Sequence, residues 1–212
     1  EVEERLRAAR TNVLHALSHG ARQVVVVTSA GPREGASTTA AGLARVLALS
    51  GHRVVLVGGD LRSPSAVGAP GAPGLAEVLV GTARLSQVLV EGEVPGLELL
   101  PAGDMPGNPS ELLGGRNMSD LLHHLAADRI VIIDAPPVCR FTDAVVLAEY
   151  AGGVLLVARA GRTSAEELRE AALAVGQGGG HMLGVVLTNV SDLGRGSRSA
   201  QTAVTHAESA TV

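Results

Sequence analysis

The chain has 212 residues, a formal net charge of -4, and a hydrophobic share of 46% in which aromatics contribute only 1%. That length suits one domain with an ample core, and the charge lacks the basic footprint of a nucleic-acid binder. The single cysteine, Cys139, excludes an intramolecular disulfide and a cysteine-rich metal site.

The elements follow in order. Val2 to Ser18 is helix-like, with Leu6, Val13, Leu14 and Leu17 in partial apolar period. Val24–Thr28 is a first strand, and Ser37 to Leu49 a helix ended by Ser50-Gly51. Val54–Val57 is a second strand, Leu61 to Gly74 a Pro/Gly/Ser loop, and short helices cover Leu75–Val80 and Leu85–Val90. Leu97–Leu100 is a third strand; a loop from Pro101 to Pro109 leads into a helical stretch from Ser110 to Ala126, with a break at Gly114-Gly115. Ile130–Ile133 is a fourth strand, followed by a helix from Thr142 to Glu149 that Thr142 can cap. After a fifth strand, Val154–Val157, the capping-box pattern Ser164-Ala165-Glu166-Glu167 opens a helix to about Val175. Gln177 to Gly180 is a glycine loop, and Leu183–Thr188 is the last strand. Aliphatic strands alternating with helices predict an α/β fold, a doubly wound, mostly parallel sheet flanked by helices; the Walker A spacing of Ala30, Gly35 and Ser37 makes it P-loop NTPase-like. We expect one domain over 1–190, opened by a helix in 1–20, and a disordered polar tail over 191–212.

The stretch Val24 to Thr38 has the layout of a phosphate loop: buried strand, glycine-bearing turn, helix start. Ala30, Gly35 and Ser37 have Walker A spacing, but Ala36 stands where the pattern places lysine. The main chain of Ala30, Gly31, Pro32, Arg33, Glu34, Gly35, Ala36, Ser37 and Thr38 is expected to wrap the phosphates of ATP or ADP, with N–H groups from all but Pro32 turned toward them. Ser37 is expected to offer its hydroxyl to Mg²⁺. The missing ammonium group predicts binding weaker by ~1.5–3 kcal/mol and a rate lower by ~10²–10³. Arg33 reads as a solvated loop arginine rather than a substitute cation.

Two acids end strands where open α/β sheets bind ligands. Asp60, in Gly58-Gly59-Asp60-Leu61-Arg62, is either a Mg²⁺ ligand with a catalytic role or a turn-forming aspartate. Asp134 closes Ile130-Val131-Ile132-Ile133 in Walker B form and is the second candidate metal-binding and catalytic acid.

These segments together resemble the bacterial tyrosine kinases, or BY-kinases, of capsule and exopolysaccharide assembly. Val27 to Thr39 looks like that family's Walker A, Val55 to Pro64 its Walker A′, and Ile132 to Pro137 its Walker B. Pro95 to Gly103, Asn108 to Leu113 and Thr142-Asp143-Ala144 are similar to its intervening regions, so the likeness runs from about Glu1 to Val190. Glu4, Arg7 and Arg10 reproduce its Glu-x-x-Arg-x-x-Arg pattern along one helical face. The resemblance implies that this face joins subunits into a homo-oligomeric ring, or into an assembly with a membrane chain-length determinant. It also implies ATP-dependent tyrosine phosphorylation.

Three departures bear on activity: Ala36 replaces the lysine, Gly58 replaces the first acid of Asp-x-Asp, and no tyrosine follows Ser191. They fit a degenerate member, an impaired kinase or a non-catalytic pseudokinase. A ParA/MinD-like ATPase is a further alternative, although such proteins often carry an additional lysine early in the loop. No run reaches the ~18 apolar residues of a membrane span and no signal peptide is visible. We therefore expect a cytoplasmic location, at the inner face of the membrane through a partner or a preceding segment. Tyr150, the sole tyrosine, reads as structural, adjacent His123 and His124 as surface residues, and Cys139 as a small apolar residue rather than a nucleophile.

Overall fold

Runs of β-branched residues build the centre of the molecule. In this computed structural model Val24–Ser29 forms β1, Val54–Gly58 β2, Ile130–Asp134 β5, Gly153–Arg159 β6 and Met182–Thr188 β7. Leu97–Leu100 is β4, and a two-residue strand, Val90–Glu91, is β3. The structure describes residues 2–18, 22–63, 67, 69 and 71–190, with side chains from residue 6 onward. The Glu4 side chain and the 191–212 segment lie outside them.

The seven strands run in the order β3-β4-β2-β5-β1-β6-β7. All neighbours pair in parallel except β3, which is antiparallel to β4 at the edge. β3 corrects the expected helix over Leu85–Val90: that helix, α4, covers only Leu85–Val88, and Val90 and Glu91 pair with Leu99 and Glu98.

Successive side chains of a strand point to opposite faces, and here the two faces have separate cores. Val25, Val27, Val54, Leu56, Ile130 and Ile132 pack with α1 (Val2–Ser18) and α2 (Ala36–Leu49). Val24, Val26, Val55, Val57, Val131 and Ile133 pack with α3 (Leu75–Val80), α5 (Pro109–Leu113), α6 (Arg116–Ala126), α7 (Asp143–Ala148) and α8 (Ala165–Gln177). The mostly parallel, doubly wound sheet is therefore covered on both sides.

The predicted break at Gly114-Gly115 separates α5 from α6. The capping box opens α8: Ser164 Oγ accepts from the Glu167 N–H at 3.1 Å, and the Ser164 N–H donates to Glu167 Oε2 at 2.8 Å. Thr142 does not cap α7. Its backbone is in the helical region and its hydroxyl lies 3.3 Å from that of Ser110.

Candidate functional site

The loop after β1 turns sharply into α2. Gly35 sits at φ +99°, in the left-handed region, and its N-cap position starts the helix at Ala36. A side chain there would also crowd Thr188, whose Cγ2 would lie 3.2 Å from an added Cβ. Among the described residues, no protein acceptor takes the N–H groups of Ala36, Ser37 and Thr38. These donors open the first turn of α2, where the helix dipole also favours an anion. Ala36 and Ser37 are half-buried, and Arg33 and Thr38 are exposed.

Not every amide between Ala30 and Ser37 is free to face a ligand, as the sequence had suggested. The Gly31 N–H donates to Glu34 Oε2 at 3.1 Å. Glu34 is only 4% exposed, and its other carboxylate oxygen accepts from the Thr163 hydroxyl at 2.7 Å. Thr188 donates to the Glu34 carbonyl at 2.6 Å, and Arg159 Nη1 donates to the Arg33 carbonyl at 3.1 Å. The Glu34 side chain thus braces the loop and does not line an anion cradle. Arg33 is held at φ +60°, a conformation costing a side-chain-bearing residue about 1 kcal/mol. The surrounding bonds over-determine that geometry.

The acids lie beside this loop. Asp134, the last residue of β5, is 2% exposed, and the Ser37 hydroxyl stands near its carboxylate. Burial pushes its pKa up to about 6; the nearby Ser37 hydroxyl opposes that rise and the Asp60 charge adds to it. Asp60 is also raised, first by burial, against N–H bonds from Arg62 and Ser63 that favour its ionised form. Both of those N–H groups donate to Oδ1, at 3.0 and 3.2 Å. Asp60 is therefore a turn-former and, at the same time, an acid close enough to perturb Asp134.

Gly59 permits this approach. Its N–H donates to the Asp134 carbonyl at 2.8 Å, and a Cβ there would meet Ile133 Cγ2 at 2.6 Å. Gly58 is the register partner of Asp134 on β2. An acid at that position would stand directly beside Asp134 on the neighbouring strand.

Two carboxylates and a hydroxyl converging at a strand end are hard oxygen donors, matched to Mg²⁺ completed by waters and phosphate oxygens. Buried like charges at this point are what a divalent cation relieves. Among the described residues no cluster of three His, Cys, Asp or Glu side chains forms an all-protein metal cage. His123 and His124 are exposed on α6.

Arg62 and Asp143 escaped assignment from sequence. Asp143 is 0% exposed, and Arg62 Nε donates to its Oδ2 at 2.5 Å. Burial alone would push the Asp143 carboxyl up; the bonds from Arg62 and Ser110, with the guanidinium charge, outweigh it and hold it below the usual range. The brace residues Arg159, Thr163 and Thr188 were missed too, because they lie more than a hundred positions from the loop.

Elsewhere on the chain, Arg7 is exposed and Arg10 half-buried on α1. Tyr150 is half-buried against the α3/α5–α8 core, as expected of a structural residue. Cys139 is exposed rather than packed as an apolar residue. Partial burial and the carboxylates of Glu170, Glu167 and Glu34 push its thiol up, away from nucleophile chemistry.

No protein-family model matches the sequence. The chain is 36% identical over 188 residues to the tyrosine-protein kinase YwqD of Bacillus subtilis, covering 87% of this chain and 79% of that protein. It is 34% identical over 191 residues to the tyrosine-protein kinase ptk of Acinetobacter johnsonii, covering 88% of this chain but only 26% of ptk. The chain thus spans about a quarter of the length of such longer relatives. Among solved structures, the kinase domain of the Escherichia coli tyrosine kinase ETK superposes with a TM-score of 0.85 at 30% identity, covering 94% of this chain and 80% of that one.

Proposed function

The chain belongs to the family of bacterial tyrosine-protein kinases, and on that premise we propose that it is a nucleotide-binding, kinase-like domain with impaired phosphoryl transfer. The nearness of the Ser37 hydroxyl to the Asp134 carboxylate carries this reading, because it joins the loop to the acid site. The first-turn N–H groups of α2 would take phosphate oxygens of ATP or ADP. Ser37, Asp60 and Asp134 would hold Mg²⁺, which when bound neutralises phosphate charge. At neutral pH the Asp134 carboxylate is ionised, since its pKa of about 6 lies below 7. What the site lacks is the lysine ammonium group at position 36 and an acid at position 58.

The acceptor would be a tyrosine outside residues 1–212, since Tyr150 is the only one within them and is half-buried. The biological setting we propose is polysaccharide chain-length control or export, at the cytoplasmic side of a membrane and beside a membrane partner. No helix among the described residues is long and apolar enough to cross a membrane. With radiolabelled ATP and a tyrosine-bearing partner, slow transfer is expected from the parent chain and none from Asp134→Asn. Transfer by the parent no faster than by Asp134→Asn would overturn the catalytic reading.

A second reading has a specific observation behind it. Ala36 and Gly58 both strip charge from the site, while the fold around them is intact. The chain would then act as an assembly module through the Glu4, Arg7 and Arg10 face. Light scattering is expected to show a multimer that Arg7→Ala/Arg10→Ala reduces to lower mass. Equal masses would remove the interface from the account.

A further inference from the structure

The proposed nucleotide site leaves one buried charged cluster unused. Arg62 grips Asp143 through two nitrogens: Nε to Oδ2 at 2.5 Å and Nη2 to Oδ1 at 3.1 Å. Nη2 also donates to Ser110 Oγ at 3.1 Å, and that hydroxyl donates in turn to Asp143 Oδ1. The guanidinium carbon lies 4.7 Å from the centroid of the Phe141 ring, within cation–π range. Asp143 is fully buried at the start of α7, and Ser110 belongs to α5. Two helices therefore hold one arginine of the loop that follows β2.

That arginine is coupled to an acid of the site. Its N–H donates to Asp60 Oδ1, as does that of Ser63. Between Asp60 and Arg62, Leu61 is 2% exposed in the core. The Asp60 carboxylate is thus tethered by a backbone whose next residues are anchored twice, once apolar and once ionic. Stability alone is a poor account of the ion pair, because apolar residues of equal volume commonly do as well or better. Nor is Arg62 a spare phosphate-binding cation, since Asp143 already neutralises it. What the bidentate fork supplies, and a flexible lysine would not, is fixed direction.

We propose that Arg62, locked by Asp143 and Ser110, is a positioning residue that holds the Asp60 carboxylate beside Asp134 in the arrangement a divalent cation requires. The inference rests on the metal–nucleotide reading above. It assigns to α5 and α7 a part in metal binding that neither contacts directly. Loss of the lock frees the loop after Gly59 and lowers the effective concentration of Asp60 at the cation.

The test separates metal from nucleotide. ADP is titrated calorimetrically into the parent, Arg62→Ala, Asp143→Asn and the double variant, once in EDTA and once with excess Mg²⁺. The factor by which Mg²⁺ tightens ADP binding is expected to fall at least fivefold in each variant, and no further in the double. Affinity in EDTA is expected to stay within twofold, since the amides of α2 are untouched. Amide exchange at Arg62 and Ser63 is expected to accelerate while that at Ser37 and Thr38 holds. Should Arg62→Ala or Asp143→Asn fail to fold, Arg62→Lys and Ser110→Ala take their place, with a smaller loss in the same direction. A Mg²⁺ effect present in the parent and unchanged in the variants overturns the lock alone. Equal losses with and without Mg²⁺ reduce it to general structure and overturn it too. No Mg²⁺ effect in the parent overturns the metal–nucleotide reading, and this inference with it.

Discussion

Ala36→Lys is expected to tighten MgADP binding roughly tenfold to a hundredfold and to raise phosphate transfer about 10²–10³-fold. The affinity estimate follows from ~1.5–3 kcal/mol for a hydrogen bond to a charged group. The rate estimate follows from the effect of one preorganised electrostatic donor on developing charge. The fold should accept the change. Ala36 opens α2 with its side chain half-buried against the aliphatic face, and the lysine stem can keep that apolar contact while its head reaches solvent or phosphate. Helix propensity differs only slightly between the two residues. Recovery should stop short of a complete site, because Gly58 still leaves one acid missing beside Asp134. The radiolabel transfer assay checks the rate, and adding Asp134→Asn to Ala36→Lys should erase the gain. An Ala36→Lys protein no faster than its parent would show that the deficit lies elsewhere.

Asp134→Asn is expected to stabilise the protein above pH 6 while disabling the site. The native carboxyl titrates near 6 because burial disfavours its ionised form, whereas the unfolded carboxyl titrates near its ordinary value of 3.8. Between those values the native state holds a proton that the unfolded state has released, so stability falls as pH rises. Above pH 6 the full cost applies, at most about 3 kcal/mol at 1.36 kcal/mol per pKa unit. Asparagine removes that cost. In thermal melts the variant should therefore gain roughly 5–10 °C at pH 8 and almost nothing at pH 4. Saturating MgADP should reverse the order at pH 8 by stabilising only the protein that binds it. An equal gain at both pH values would mean that ionisation of Asp134 is not the source.

The strands and the spacing of the site were legible because both are local. Four consecutive valines, Val24 to Val27, followed by the Ala30–Gly35–Ser37 spacing, report a buried strand, a turn and a helix start within fifteen positions. Asp134 ends an aliphatic run, and Ser164 with Glu167 spells out its own cap. Asp60 carries two meanings in sequence, turn-former or metal-binding acid; in space its Oδ1 forms the turn, and its charge also reaches Asp134. Partnerships set by packing were hidden. Glu34 meets Thr163 across 129 positions and Arg62 meets Asp143 across 81. β3 escaped because two exposed residues carry no period. Thr142 looked like a cap, but its helical backbone conformation turned its hydroxyl to other use.

Calorimetric titration of MgADP into this chain and into Ala36→Lys decides whether the missing ammonium group is what weakens the site. Measurable but weak binding is expected from the parent, and binding at least tenfold tighter from the lysine variant. Equal, strong binding by both, or heat from neither, would contradict that expectation.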